Sequence, residues 1–100
     1  MYIAMNRFRI APGKEQEFIG IWRQRETYLD EVPGFKSFNL LQGPSHEDHT
    51  LFASHSVWAS EEAFIDWTKS EAFRKAHANA KPARDIYLGP PAFEGFSSVL

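Results

Sequence analysis

The order of apolar and polar runs along the chain limits its fold more than any other feature of the sequence. Residues 2–10 alternate with period two, which predicts a strand. Pro12-Gly13 then breaks the chain, and the segment from Lys14 to about Glu31 has the apolar spacing of a helix. The chain therefore opens with a strand followed by a helix.

The rest of the chain extends this order. Two β-rich runs, Phe35 to Gln42 and Thr50 to Trp58, flank a polar connector and predict a hairpin. Ser60 predicts the start of a second helix, and Ser70 repeats that capping signal, so this helix is expected to bend or restart there. A last strand is expected from Ala92 to Val99. The order βαββαβ predicts an α+β sandwich with both helices on one face of an antiparallel sheet.

The second face of the sheet is also expected to be apolar, because the strands carry apolar residues at both parities. The alternation assigns Phe38, Leu40, Leu51, Ala53 and Val57 to one face, and Leu41 and Phe52 to the other. Antiparallel strands that are apolar on both faces need cover on both. A second copy of the same sheet would supply it, so we expect a two-fold homodimer.

Composition excludes several classes of function. A chain of 100 residues is expected to form one domain, over residues 1–100. Its net charge of -2 argues against nucleic-acid or anionic-membrane partners, and no apolar run is long enough to span a membrane. With no cysteine and no export signal, a cytoplasmic location is expected, without disulfides or thiolate metal sites. Aromatic residues make up 15% of the chain, which calls for a tight core or a flat ligand.

Four residues are candidates for a functional site. Asn6 lies on the more apolar face of the first strand, where its amide needs either a backbone partner or a ligand in a pocket. His77 is surrounded by alanines, so it is either an ordinary helix histidine or an imidazole that a flat macrocycle could approach. Trp67 and Trp22 fit a core position as well as a pocket. His46 and His49 resemble a metal-binding pair but fit a solvated loop better.

Taken together, these residues give the chain a family resemblance. The matching positions are Asn6-Arg7, Pro33-Gly34-Phe35 and Val57-Trp58-x-Ser60-x-x-Ala63-Phe64-x-x-Trp67-x-x-Ser70-x-x-Phe73-x-x-x-His77. This pattern resembles the antibiotic biosynthesis monooxygenase superfamily and, within it, the haem-degrading IsdG-type branch. The resemblance implies a ferredoxin-like fold that pairs into a dimeric α/β barrel, with one haem per subunit between sheet and helices.

The resemblance also implies roles for the four candidates. Haem would be both substrate and oxygen-activating cofactor, and the products would be iron and a bilin. His77 would be the axial ligand of the haem iron, and Asn6 would hydrogen-bond the oxygen species on the other side. Trp67 would press on the porphyrin and ruffle it, and Trp22 would be a pocket aromatic. The segment after His77 departs from the staphylococcal pattern, so the identity of the product stays open.

Cofactors and alternatives follow from what the sequence contains. No flavin or nicotinamide motif is present, so neither is expected to be bound, and electrons would come from an external reductant. The haem propionates need basic partners, and the sequence does not choose among Arg23, Arg25, Arg74, Lys81 and Arg84. Two other functions remain: a cofactor-free monooxygenase that acts on an aromatic or quinol substrate, and a non-enzymatic haem-binding protein.

Overall fold

The computed structural model describes residues 1–25, 29–71, 73–74 and 85–100, which form one four-stranded antiparallel sheet and two helices. The elements are β1 (Tyr2–Ile10), α1 (Glu15–Gln24), a 3-10 turn (Leu29–Glu31), β2 (Phe35–Ser45), β3 (Thr50–Trp58), α2 (Glu61–Thr68) and β4 (Ala92–Ser97). The strand order is β2-β3-β1-β4. The predicted α+β, ferredoxin-like arrangement is confirmed.

Three predicted boundaries are wrong. The first helix ends at Gln24, because Arg25 has extended backbone angles (φ -77°, ψ 128°), and the 3-10 turn follows at Leu29–Glu31. Strand β2 continues past Gln42, so the hairpin loop is shorter than the polar connector suggested. The last strand stops at Ser97 instead of Val99.

The hairpin register corrects one assignment of faces. Strand β2 pairs with β3 so that Phe38 lies opposite Ser56 and Leu40 opposite Ser54, while Leu41 lies opposite Ala53. Phe38 and Leu40 therefore face the helices, and Leu41 does not. The alternation predicted the opposite, because a change of register by one residue inverts every side chain of a strand.

The helix-facing side of the sheet carries two buried apolar clusters instead of one continuous core. One cluster consists of Phe8, Ile10, Phe18, Phe52 and Ile86, and the other of Tyr2, Ala4, Leu29 and Trp58. Between them lie Asn6 on β1 and Ser54 and Ser56 on β3, which we call the polar row. Asn6 lies directly opposite Ser54 and Ala4 lies opposite Ser56, so the polar row crosses two adjacent strands.

Serine hydroxyls begin both parts of the second helical segment. Ser60 Oγ accepts a hydrogen bond from the backbone N–H of Ala63 at 3.1 Å, which caps α2. After α2 ends at Thr68, Ser70 Oγ accepts one from the N–H of Phe73, also at 3.1 Å. The predicted restart at Ser70 is therefore confirmed.

Neither α1 nor α2 is long and apolar enough to cross a membrane, and the same holds for every other helix in the described part of the chain.

The other side of the sheet, which we call the outer face, carries neither α1 nor α2 and presents apolar residues beside an ion pair between Arg7 and Glu94. Met5 and Val57 are half-buried there, while Leu41 and Phe96 are 43% and 48% exposed. His55 lies among them. A homodimer that buries this face stays a prediction.

Candidate functional site

A cavity of about 280 Å³ lies over the polar row, between the sheet and the helices. Its floor includes Ala4, Asn6, Ser54 and Ser56. Aromatic rings dominate its walls: Trp22 on α1, Phe38 on β2, Phe64 and Trp67 on α2, and Phe93 on β4, with Trp58 and Phe73. The cavity exists at this place because polar side chains interrupt the apolar face where the two clusters would otherwise meet.

Asn6 lies on this floor, half-buried, between Ala4 and Phe8 of the same strand. Two explanations of this amide were open: a partner within the fold or a ligand in a pocket. Its side chain has no hydrogen-bond partner among the described residues. The amide therefore faces the cavity with its hydrogen-bonding groups available to a ligand.

The two serines of the polar row differ in their hydrogen bonding. Ser56 Oγ accepts a hydrogen bond from Trp58 Nε1 at 2.9 Å and donates one to the carbonyl of Ala4 at 3.3 Å. Ser54 is only 7% exposed, and its hydroxyl has no partner in the described part of the chain. The sequence interpretation missed Ser54, although the signal was the same as for Asn6: a polar residue on the apolar face of a strand.

Trp22 forms the wall on the α1 side. Its ring stacks on Phe38 with centroids 5.5 Å apart and an angle of 22° between the planes. Its indole Nε1 is buried and has no hydrogen-bond partner among the described residues. Trp22 therefore lines the cavity with its ring, while its N–H is enclosed by surrounding atoms.

Arg25 is the only charged side chain among the described residues that line the cavity. Its guanidinium carbon lies 4.4 Å from the centroid of the Trp22 ring, a cation–π contact that holds it at the wall. Of the other basic candidates, Arg23 and Arg74 are exposed and do not line the cavity, and Lys81 and Arg84 lie outside the described residues. The described walls carry no acidic group, so the cavity favours a ligand with an anionic group.

Trp67 forms the opposite wall and is held by other rings. Its centroid lies 5.3 Å from that of Trp58 and 4.8 Å from that of Phe73, the latter ring standing at 86° to it. Phe64, one turn earlier on α2, lies 6.1 Å away. Contacts on several sides restrict rotation of the indole, so a ligand that meets it must adapt to its position.

None of the histidines in the described residues lines this cavity. His77 lies outside the described residues. His49 Nδ1 is 2.8 Å from the carboxylate of Asp48, and His46 stacks on His49 at 4.7 Å, in the hairpin loop. No group of three potential metal ligands occurs within residues 1–25, 29–71, 73–74 and 85–100. The hydrogen bond from His49 is the main cause that holds the pKa of Asp48 below its usual range.

In chemical terms, the cavity is a slot for a flat unsaturated ring. Aromatic walls contact the faces of such a ring. The Asn6 amide and the Ser54 hydroxyl offer hydrogen bonds to its oxygen atoms, and Arg25 offers a positive charge. None of the described lining residues is a carboxylate or a histidine that could act as a general base.

Comparison with known proteins agrees with this arrangement. The chain is 29% identical over 89 residues to "Heme oxygenase (staphylobilin-producing) 1" of Staphylococcus aureus strain Newman, a match that covers 89% of this chain and 82% of that protein. The structure of the heme-degrader MhuD from Mycobacterium tuberculosis, which has two hemes bound in its active site, superposes with a TM-score of 0.75. It is 25% identical, and the match covers 100% of this chain and 97% of MhuD.

A third relative has a different chemistry on the same fold. SnoaB of Streptomyces nogalater, a cofactor-independent oxygenase, superposes with a TM-score of 0.67 at 18% identity, over 97% of this chain and 91% of SnoaB. The sequence profile described as "Antibiotic biosynthesis monooxygenase" matches residues 1–79. The resemblance inferred from the motifs is thereby confirmed: the chain belongs to the antibiotic biosynthesis monooxygenase family.

Proposed function

We propose that this protein is a haem-degrading monooxygenase that binds haem in the cavity over the polar row. It would open the porphyrin ring with O2 and electrons from an external reductant, and release iron and a bilin-type product. The observation that carries the proposal is the presence of Asn6, Trp22 and Trp67 in the lining of one cavity, with the Asn6 amide unpartnered among the described residues. The staphylococcal and mycobacterial relatives support it.

The chemistry of the lining fits haem. A porphyrin is flat and aromatic, like the walls, and its propionates are the anionic groups that the cavity favours. Arg25 is the proposed partner of one propionate, because a guanidinium matches a carboxylate with two parallel hydrogen bonds. The cavity volume determines how much of the porphyrin would be enclosed. About 280 Å³ is just below the range of roughly 300–1,000 Å³ for small-molecule sites, so a porphyrin would extend through the mouth of the cavity.

The protein's own side chains would have separate tasks. Haem supplies the iron that activates oxygen when it is bound. Asn6 would donate a hydrogen bond to oxygen beside the ring and cannot act as an acid, because an amide does not ionise. Trp67, which neighbouring rings hold in place, would press on the porphyrin and deform it, and distortion of the macrocycle is one of a protein's means of tuning haem. His77 is proposed as the axial ligand on the basis of the sequence.

The runner-up function is a cofactor-free oxygenase for a smaller aromatic or quinol substrate. The cavity volume favours it, and the fold that the chain shares with SnoaB permits it. A non-enzymatic haem-binding protein is the third candidate.

We also propose that the protein forms a homodimer that buries the outer face, and that it is located in the cytoplasm.

One titration followed by one reaction separates these functions. Haemin added to the purified protein should give a Soret band typical of histidine ligation, and ascorbate in air should then abolish that band. No Soret shift would favour the cofactor-free oxygenase, and a band that survives reductant and oxygen would favour haem binding alone.

His77→Ala should lose the histidine spectrum, whereas His55→Ala on the outer face should keep it. Loss in His55→Ala instead would overturn the assignment of His77.

Two further variants test the cavity itself. Asn6→Ala should bind haemin within about tenfold of the wild-type affinity but lose turnover, because the missing bond serves a step after binding. Arg25→Ala should weaken haemin binding more than Arg23→Ala, which removes a neighbouring charge that does not line the cavity. Wild-type turnover in Asn6→Ala, or equal affinities in the two arginine variants, would refute these roles.

A further inference from the structure

Besides Asn6, the polar row contains a second side chain whose position suits contact with a ligand. Ser54 is 7% exposed, lines the cavity, and its hydroxyl has no partner within the described part of the chain. The hydroxyl makes no hydrogen bond to the described residues and is not sealed off from the cavity, so it adds nothing to folding at this position. Valine would suit a strand position on this apolar face better.

Ser56 shows what a structural serine looks like on the same face. Its hydroxyl is both acceptor, from Trp58 Nε1 at 2.9 Å, and donor, to the carbonyl of Ala4 at 3.3 Å. The two serines are separated by one residue on β3 and both line the cavity. The hydroxyl of Ser54 is therefore left for a ligand, while that of Ser56 holds the fold together.

Strand pairing places Ser54 beside Asn6. The two residues lie directly opposite each other in the β1–β3 register, with both side chains on the helix-facing side. Directly opposed residues have Cβ atoms about 4.5–5.5 Å apart. An amide and a hydroxyl at this separation can both reach one oxygen or nitrogen atom placed above them.

We propose that Ser54 is a specificity-determining residue: its hydroxyl and the Asn6 amide together hydrogen-bond a single electron-rich atom of the ligand at the cavity floor. A site with two such contacts discriminates for a ligand that carries this acceptor and against one that lacks it, since the polar groups would then stay unpaired. The inference rests on the proposed function only for the identity of that atom: in the haem-loaded protein it would belong to a small molecule bound beside the ring, for which azide stands in.

The first test uses the ligand-free protein and does not depend on haem. Ser54→Ala should melt at or above the wild-type temperature, because it removes a hydroxyl that the fold does not use. Ser56→Ala, the matched control, should melt several degrees lower, because it breaks two hydrogen bonds. If Ser54→Ala loses as much stability as Ser56→Ala, the Ser54 hydroxyl is structural and the proposal is wrong.

The second test titrates sodium azide into the haemin-loaded ferric protein and follows the visible spectrum. Ser54→Ala should weaken azide binding about threefold to tenfold, the usual effect of one lost hydrogen bond, with the affinity for haemin changed less than about twofold. Ser54→Thr keeps a hydroxyl and should restore most of the azide affinity. Equal azide affinities in wild type and Ser54→Ala would overturn the proposal. If the wild type binds no haemin, the proposed function fails, and the melting comparison still decides the role of Ser54.

Discussion

The turn that leads into β2 allows a sharp prediction, because Gly34 is required there for two separate reasons. Its φ is +85°, and a Cβ atom at this position would lie 2.5 Å from the Cβ of Ala63 on α2. A side chain at positive φ costs roughly 1–2 kcal/mol. Overpacking against a neighbour adds roughly 1–3 kcal/mol. Gly34→Ala should therefore lower the free energy of unfolding by about 2–5 kcal/mol.

Gly13→Ala is the matched control. Gly13 has nearly the same backbone angle, φ +84°, but a Cβ atom added there would have nothing within 4 Å of it. Urea unfolding of this variant should show only the backbone cost of roughly 1–2 kcal/mol. The difference between the two variants measures the contact between Gly34 and Ala63, which sets how closely the turn approaches α2.

A compensating change completes the test. Ala63→Gly removes the methyl group that Gly34→Ala would meet, so the double variant should be more stable than Gly34→Ala, although glycine within a helix costs about 1 kcal/mol. Equal losses in Gly34→Ala and Gly13→Ala, or no recovery in the double variant, would refute the argument that close packing demands glycine at position 34.

Three further predictions concern other parts of the molecule. Gly20 in α1 has open space where a Cβ would be, so Gly20→Ala should raise the free energy of unfolding in urea by about 0.5–1 kcal/mol. An NMR titration of the Asp48 carboxyl should give a pKa below the usual value, and His49→Ala should raise that pKa. Because folding lowers the pKa of Asp48, any stability that this pair contributes is lost as the pH falls through the pKa of the folded state. Leu51→Arg on the outer face should give monomers or aggregates in light scattering, whereas an unchanged dimer mass, or a wild-type mass of one chain, would contradict burial of this face.

Sequence periodicity was a good guide to the elements and a poor guide to how they pair. The bounds of β1 and β3 agree with the prediction, because alternation and flanking turns define both ends. Phe38 and Leu40 were assigned to the wrong face, because the pairing partner of a residue depends on the hairpin register and not on its own strand. The helix was predicted to reach Glu31 but ends at Gln24. The apolar spacing continues to Leu29 because Leu29 is also buried, although it belongs to the 3-10 turn and not to the helix.

The candidate site was predictable only where one residue broke a pattern strongly. Asn6 was noticed because an amide stands out between Ala4 and Phe8. Ser54 was missed, because serine is small enough to pass as an ordinary strand residue. The choice of Arg25 among five basic candidates needed the contact with Trp22, which depends on where α1 ends.

The polar row explains why the site and the weakest part of the core coincide. Backbone hydrogen bonds of the sheet do not depend on which side chain stands at Asn6 or Ser54, so the pairing of β1 with β3 does not require polar residues there. Ser56 shows that this face can satisfy a hydroxyl within the fold when it needs to. Apolar side chains at positions 6 and 54 would let the clusters around Phe52 and Trp58 join into one core. The chain instead keeps a divided core with a cavity at the division, and such departures from the best packing are expected where a protein binds its ligand.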